Sequence, residues 1–246
     1  MRNAPAAPAD PTERTNTFGQ PVGSRVPGWT ARARPPRTIM LGQFCRLEPL
    51  DVERHADALF DAYAEAPDDR DWTYLFAERP ADVVACRSYV AAASASLDPL
   101  HFAIVDLTSG QPVGTAALMR IDAVHGVIEV GSITYSPRLQ KTRAGTEAMY
   151  LMMRRAFDEL RYRRYEWKCD SLNAPSIAAA RRYGFQFEGI FRQAIVYKDR
   201  NRDTAWFSIL DAEWPRIRAA FELWLSADNF DAEGRQRRSF AECRQP

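Results

Sequence analysis

The stretch from Glu129 to Glu147, E-V-G-S-I-T-Y-S-P-R-L-Q-K-T-R-A-G-T-E, reads most like a site. A strand-like run ends, a turn rich in Ser, Arg, Gln and Gly follows, and a strong helix begins. Backbone N–H groups of such a turn, at the positive end of a helix dipole, suit a phosphate or pyrophosphate. Arg138, Lys141 and Arg143 add positive charge at the same place. The text also fits an ordinary Asx- or Ser-type turn before a helix. It is neither a Walker loop nor a GxGxxG motif.

Other chemistry is sparse. His55, His101 and His125 lack metal-ligand spacing, so no metal is expected. Cys45, Cys86, Cys169 and Cys243 are scattered without a CxxC, which reads as isolated thiols in a reducing compartment. No run approaches the roughly 20 apolar residues of a membrane span, and Met1–Arg37 has no signal-peptide core. A cytoplasmic protein is expected.

These residues need elements to position them. Cys45–Leu50 reads as a strand, and Asp51 as the N-cap of a helix with Val52, Ala56, Leu59, Phe60 and Tyr63 on one face. Pro80 is expected to open a second helix, running to about Ser96. Strands follow at His101–Asp106, Val113–Arg120 and Val127–Tyr135, the first two joined by a hairpin link at Thr108–Gln111. Met149, Met152, Met153, Ala156, Phe157 and Leu160 then mark one face of a helix from Gly145 to Leu160. A strand at Tyr165–Asp170, a helix at Pro175–Tyr183 ended by Gly184, and a hairpin of Phe187–Lys198 with Thr204–Leu210 complete the middle. A last helix from Pro215 buries Ile217, Phe221, Trp224 and Leu225. The order β-α-α-βββ-α-β-α-ββ-α predicts an α/β (α+β) fold with a mixed rather than doubly wound sheet.

The chain of 246 residues divides into a Pro/Arg-rich extension (1–37), one domain (38–225) and a polar, loose tail (226–246). Residues up to about Asn16 read as flexible, and Phe18, Val22, Val26 and Trp29 as an irregular arm that packs down. The net charge of +1 conceals about +4 in the extension and a mildly acidic domain. That balance argues against nucleic-acid partners and suits one anionic cofactor with a cationic acceptor.

Two blocks together resemble the GNAT superfamily of acyl-CoA-dependent N-acetyltransferases, nearest its RimJ/RimL branch. The first is Glu129-Val130-Gly131, Pro137 and Gln140-Lys141-Thr142-Arg143-Ala144-Gly145. The second is Asn173, Ser176, Ala180, Gly184, Phe185, Glu188 and Gly189. The resemblance spans about residues 38–215. Arg143 stands where the broad pattern has glycine.

The resemblance implies a mixed, mostly antiparallel sheet, splayed between its fourth and fifth strands and flanked by helices. It implies acetyl-CoA as co-substrate and a monomer or homodimer. Gln140, Lys141, Thr142, Arg143, Ala144, Gly145 and Thr146 would hold the pyrophosphate, with Asn173 and Ser176 near the thioester. The reaction would be direct attack of an amine on the acetyl carbonyl. Glu129 is the first candidate base, with a structural or substrate-orienting role as the alternative. Ser176 would contact the sulfur, or else simply serve backbone amides as a helix-start serine. Tyr135 is a backup proton donor. Ile195 occupies the place of a second glutamate proposed as base in the ribosomal-protein branch, so a small-molecule amine is preferred over a protein N-terminus. Trp72 and Tyr74 would rim the acceptor pocket. A weakly catalytic CoA-binding module is the rival reading.

Overall fold

In a computed structural model, residues 14–245 are described, and they fall into two units, one ending at Ala31 and one starting at Arg32. Residues 1–13, where most of the flexible stretch was expected, lie outside the described part. In the first unit the Asn16 side chain accepts from the Phe18 and Gln20 amides, both at 2.9 Å. Phe18, Val22 and Val26 are exposed, so the expected packing of these side chains is not seen.

The second unit is built on one eight-stranded sheet: β1 (Met40–Leu41), β2 (Cys45–Pro49), β3 (Leu100–Asp106), β4 (Pro112–Asp122), β5 (Val127–Tyr135), β6 (Arg164–Asp170), β7 (Gln186–Tyr197) and β8 (Arg200–Leu210). Its order is β1-β2-β3-β4-β5-β6-β8-β7. Every pairing is antiparallel except β5 with β6. A parallel pair needs a crossover. Here α3 (Arg143–Arg154), extended by a π turn at Arg155–Glu159, supplies it. β5 and β6 pair only from Val127↔Arg164 to Val130↔Trp167 and then part. This is the expected splay.

Two helices, α1 (Val52–Ala64) and α2 (Val83–Ala95), form a cluster of Leu50, Leu59, Tyr63, Trp72 and Val90 against Ala103. They cover the β3–β4 part of one sheet face and leave the rest of that face open. On the opposite face, Ile128, Val130, Tyr165, Trp167 and Phe207 share a core with α3 and with α5 (Trp214–Leu225). Asp51 caps α1 as expected, accepting from the Arg54 amide at 2.9 Å. Pro80 does not open α2. The helix starts at Val83, because the Asp82 carboxylate accepts from the Ala85 amide at 2.8 Å and fixes the first turn there. The final hairpin turns on Lys198-Asp199, both left-handed, so β8 begins earlier than expected. No helix among the described residues is long and apolar enough to cross a membrane.

The ends of the unit differ from expectation. Residues 32–37 belong to it: Arg37 donates to the Ser94 carbonyl at 2.9 Å, and Tyr162 Oη to the Ala33 carbonyl at 3.1 Å. After Ser226 the chain is not a loose tail. Phe240, on the short helix α6 (Phe240–Cys243), is 2% exposed and meets Phe221 edge-on at 4.6 Å. Cys243 is buried as well, and Ser239 with Glu242 makes a capping box. Isolated aromatic anchors in a charged stretch leave no periodic signal.

One buried charge ties the N-terminal strands to the crossover helix. Glu147 on α3 accepts from the amides of Gln43, Phe44 and Cys45 at 2.7, 2.7 and 2.9 Å. Glu147→Ala strands three amide donors, two part-buried and that of Cys45 fully buried, which costs about 2–4 kcal/mol. Thermal unfolding should show a Tm loss of roughly 10 °C. An unchanged Tm would contradict this anchoring.

Candidate active site

The anion-binding turn is built as its residue types suggest. Leu139 and Gln140 amides donate to the Ser136 carbonyl, and Lys141 takes a left-handed conformation with φ of 60°. Thr142 is the N-cap of α3: its hydroxyl accepts from Gly145 N–H at 3.0 Å and donates to the Leu139 carbonyl at 2.7 Å. The first-turn amides of Arg143 and Ala144 are left without an intrahelical acceptor, as at any helix start. Gly145 is needed for close approach. A Cβ there would lie 2.7 Å from the Leu139 carbonyl oxygen. Tyr135 Oη donates to the Gly145 carbonyl at 2.8 Å, so this phenol is occupied and is not a free proton donor.

The cations around the turn sort themselves. Arg138 pairs with Glu65 and does not line the cleft beside the turn. Arg143 lies over the Phe230 ring at 3.5 Å. Arg182, which sequence reasoning missed, donates to Thr146 Oγ1 at 3.2 Å and faces Trp224. It comes from α4 (Ala174–Tyr183), and only the docking of that helix beside α3 reveals it.

A single cleft of about 1340 Å³ runs from this turn, through the gap between β5 and β6, onto the open sheet face. Beyond Val130, β5 keeps β4 and loses β6. The β4–β5 register shifts between Thr115 and Ala117, opposite Ser132, which has a φ of 48°. This bulge re-aims the strand edge at the gap. At the gap, Asn173 caps α4, its Oδ1 accepting from the Ser176 amide at 3.1 Å. Ser176 Oγ accepts from Trp167 Nε1 at 2.9 Å. The serine is therefore oriented by an indole, with its hydroxyl also beside the Cys169 thiol.

Glu129 reaches the cleft from the open face, only 4% exposed. Lys168 Nζ is 2.8 Å from its Oε2 and Arg120 Nε 3.3 Å. Lys168 also pairs with Glu166 at 2.6 Å and lies over the Trp206 ring at 3.8 Å. Arg164 links Glu166 to Glu188, giving a row of alternating charges across β5, β6 and β7. Burial raises the Glu129 pKa above its ordinary value, with Lys168 and then Arg120 opposing the shift. Asp98 holds the β4 bulge that carries Arg120, accepting from the Arg120 and Ile121 amides at 2.7 and 3.0 Å.

Of the other expected residues, Gln140, Lys141, Thr142, Arg143, Gly145 and Thr146 line the cleft, and Ala144 adjoins them in the same turn. Tyr74 lines it too and donates to the Leu172 carbonyl at 3.1 Å. Trp72 does not. It is buried between Tyr63 and Tyr89, edge-on at 5.3 and 5.9 Å, because two flanking aromatics draw it into the α1–α2 cluster. His125 stays in an exposed turn. His101, by contrast, lines the cleft, and burial pushes its pKa down to about 4. Ile195 also faces the cleft. Lys168, Arg202 and Trp206 were missed, since their common face appears only once β6 and β8 are paired.

Comparison with known proteins identifies the family. Residues 45–186 match the family model described as the acetyltransferase (GNAT) domain. No curated protein matches the chain. A solved GCN5-related N-acetyltransferase from Brucella melitensis is 48% identical, with a TM-score of 0.88 over 89% of this chain and 99% of its own. A GNAT-family protein from Chromobacterium violaceum is 40% identical, with a TM-score of 0.72 over 87% of this chain and 100% of its own. RimL, a ribosomal-protein α-N-acetyltransferase, shares the fold at 18% identity, with a TM-score of 0.59 over 70% of this chain and 93% of its own.

Proposed function

The chain belongs to the GNAT family of N-acetyltransferases; from that premise we propose that it uses acetyl-CoA to acetylate a small-molecule amine by direct attack, with Glu129 as the base. The observation that carries this reading is the continuity of one cleft. It joins the open amides of α3, the β5–β6 gap and the Glu129 carboxylate.

The residues present fit acetyl-CoA. The open first-turn amides of Arg143 and Ala144, with the side chains of Thr146, Arg143 and Arg182, would receive the pyrophosphate. The gap between β5 and β6 takes the pantetheine arm, and Asn173 and Ser176 lie where the sulfur would arrive. The co-substrate supplies the activated acetyl group. Glu129 removes a proton from the acceptor ammonium, directly or through a water, so that the free amine attacks the carbonyl carbon. An outward-facing amide of the bulged β5 segment steadies the oxyanion. As the C–S bond breaks, the Ser176 hydroxyl hydrogen-bonds the departing thiolate, and the second proton shed by the nitrogen as it becomes an amide neutralises that sulfur, directly or relayed through the hydroxyl.

The preference for a small acceptor rests on Ile195, an apolar side chain facing the cleft where a second carboxylate would serve a polypeptide amine. The four cysteines are all free and buried, which supports a reducing, cytoplasmic setting. An acceptor screen with acetyl-CoA, reading thiol release, tests the acceptor class. Small amines should be acetylated and peptides with free N-termini should not. Turnover of peptides alone would overturn the choice.

A further inference from the structure

The cleft contains a row of polar atoms that the chain does not satisfy. On β8, Arg202, Thr204 and Trp206 alternate onto the open face and line the cleft. Arg202 Nε, Thr204 Oγ1 and Trp206 Nε1 are each buried without a hydrogen-bond partner. All three can donate. Arg202 is the sharpest case, being 7% exposed and making no ion pair among the described residues. Its guanidinium has instead the rings of Phe76 and Tyr197, at 5.5 and 5.9 Å. The Asp170 carboxylate at the end of β6 is taken by the Leu172 amide and by Tyr197 Oη, at 2.8 and 2.9 Å.

A buried cation without an anion is expensive, and ring faces recover only part of the cost. Unsatisfied buried groups of this kind call for a partner, and in a cleft a ligand can supply it. The row also has a direction. It starts at Trp206, whose ring carries Lys168, the partner of Glu129, and ends four residues along the strand at Arg202. A molecule with its amine at Glu129 lies along donors that finish in a guanidinium.

We propose that Arg202 receives a carboxylate of the acceptor, so that the substrate is an amine that also bears an acidic group. This rests on the acetyl-transfer reading above and names its substrate class. Thr204 and Trp206 would donate to carbonyl or carboxylate oxygens between the two ends.

The test compares ω-amino acids from glycine to 6-aminohexanoate with alkylamines of matched length, using acetyl-CoA and thiol release. At least one acid should exceed its matched amine in kcat/KM by about thirtyfold or more. Arg202→Met should erase that preference, and Arg202→Lys should keep part of it. Because Arg202→Met removes an uncompensated buried cation, its Tm should be unchanged or higher, whereas a merely structural arginine would lower it. Equal kcat/KM for acids and amines, or a preference that survives Arg202→Met, overturns the proposal while acetyl transfer stands. Succinyl-CoA with a neutral alkylamine forms a separate arm. An Arg202 dependence confined to that acyl chain would move the carboxylate to the donor and overturn the acceptor assignment. If no amine is turned over, the acetyl-transfer reading itself fails. Calorimetry with N-acetyl-6-aminohexanoate against N-hexylacetamide then decides for Arg202: equal affinity overturns the proposal, and an Arg202-dependent preference for the acid supports it.

Discussion

Glu129→Gln lowers kcat by about 10²–10⁴ and removes the acid limb of the pH–rate profile. The glutamine is isosteric, so the carboxylate's shape is kept and only its ability to accept a proton is lost. The sign follows from the site. Burial raises the Glu129 pKa, so the carboxylate takes up its proton, and the rate falls, at a pH above the ordinary carboxylate range. Lys168, 2.8 Å away, opposes that shift. Lys168→Met should therefore carry the acid limb to still higher pH. Stability acts as the control. A carboxyl with a raised folded-state pKa contributes stability that is full below its unfolded pKa and is lost as pH rises through the folded one. The Gln variant should thus be no less stable than the parent at neutral pH, and lost activity would not be lost fold. A Glu129→Gln profile like the parent's would return Glu129 to a structural role.

Arg143→Glu is expected to weaken acetyl-CoA binding by roughly 30-fold or more, the effect of opposing rather than assisting a pyrophosphate. The structure adds a qualification that the turn's text did not carry. Arg143 stacks on Phe230 at 3.5 Å, so it also pins the C-terminal segment beside the turn. Arg143→Met separates the two roles, since a long apolar side chain keeps contact with the ring and loses only the charge. Calorimetry should rank the affinities parent, then Met, then Glu. Equal affinity in all three would remove this turn as the pyrophosphate site.

Much of this account was legible in the residues alone, for identifiable reasons. α3 carries a strong helical stripe, Asp51 is a local cap, and the turn from Gln140 to Gly145 is one contiguous segment. Local signals survive in sequence because their partners are three or four residues away. What stayed hidden depends on pairing between distant segments. Lys168 becomes the partner of Glu129 only because Glu129 pairs with Glu166 across the parallel strands. Arg202 and Trp206 join the cleft only through the β6–β8 register. Trp72 misled because a tryptophan beside a tyrosine in a loop suits a pocket rim as well as a core, and two aromatic neighbours decide for the core. Phe230 and Phe240 are single anchors among charges, and no window of sequence distinguishes them from a solvated tail.

The central claim is that one continuous cleft both binds acetyl-CoA and passes its acetyl group to an amine. Thiol release and acetyl-CoA binding, measured on the same preparation against a broad amine panel, test it most directly. Amine-dependent release, appearance of the N-acetylated product, and loss of release in Glu129→Gln with acetyl-CoA binding retained are expected. Tight acetyl-CoA binding with no release for any amine would contradict it, and would leave a CoA-binding module in place of an enzyme.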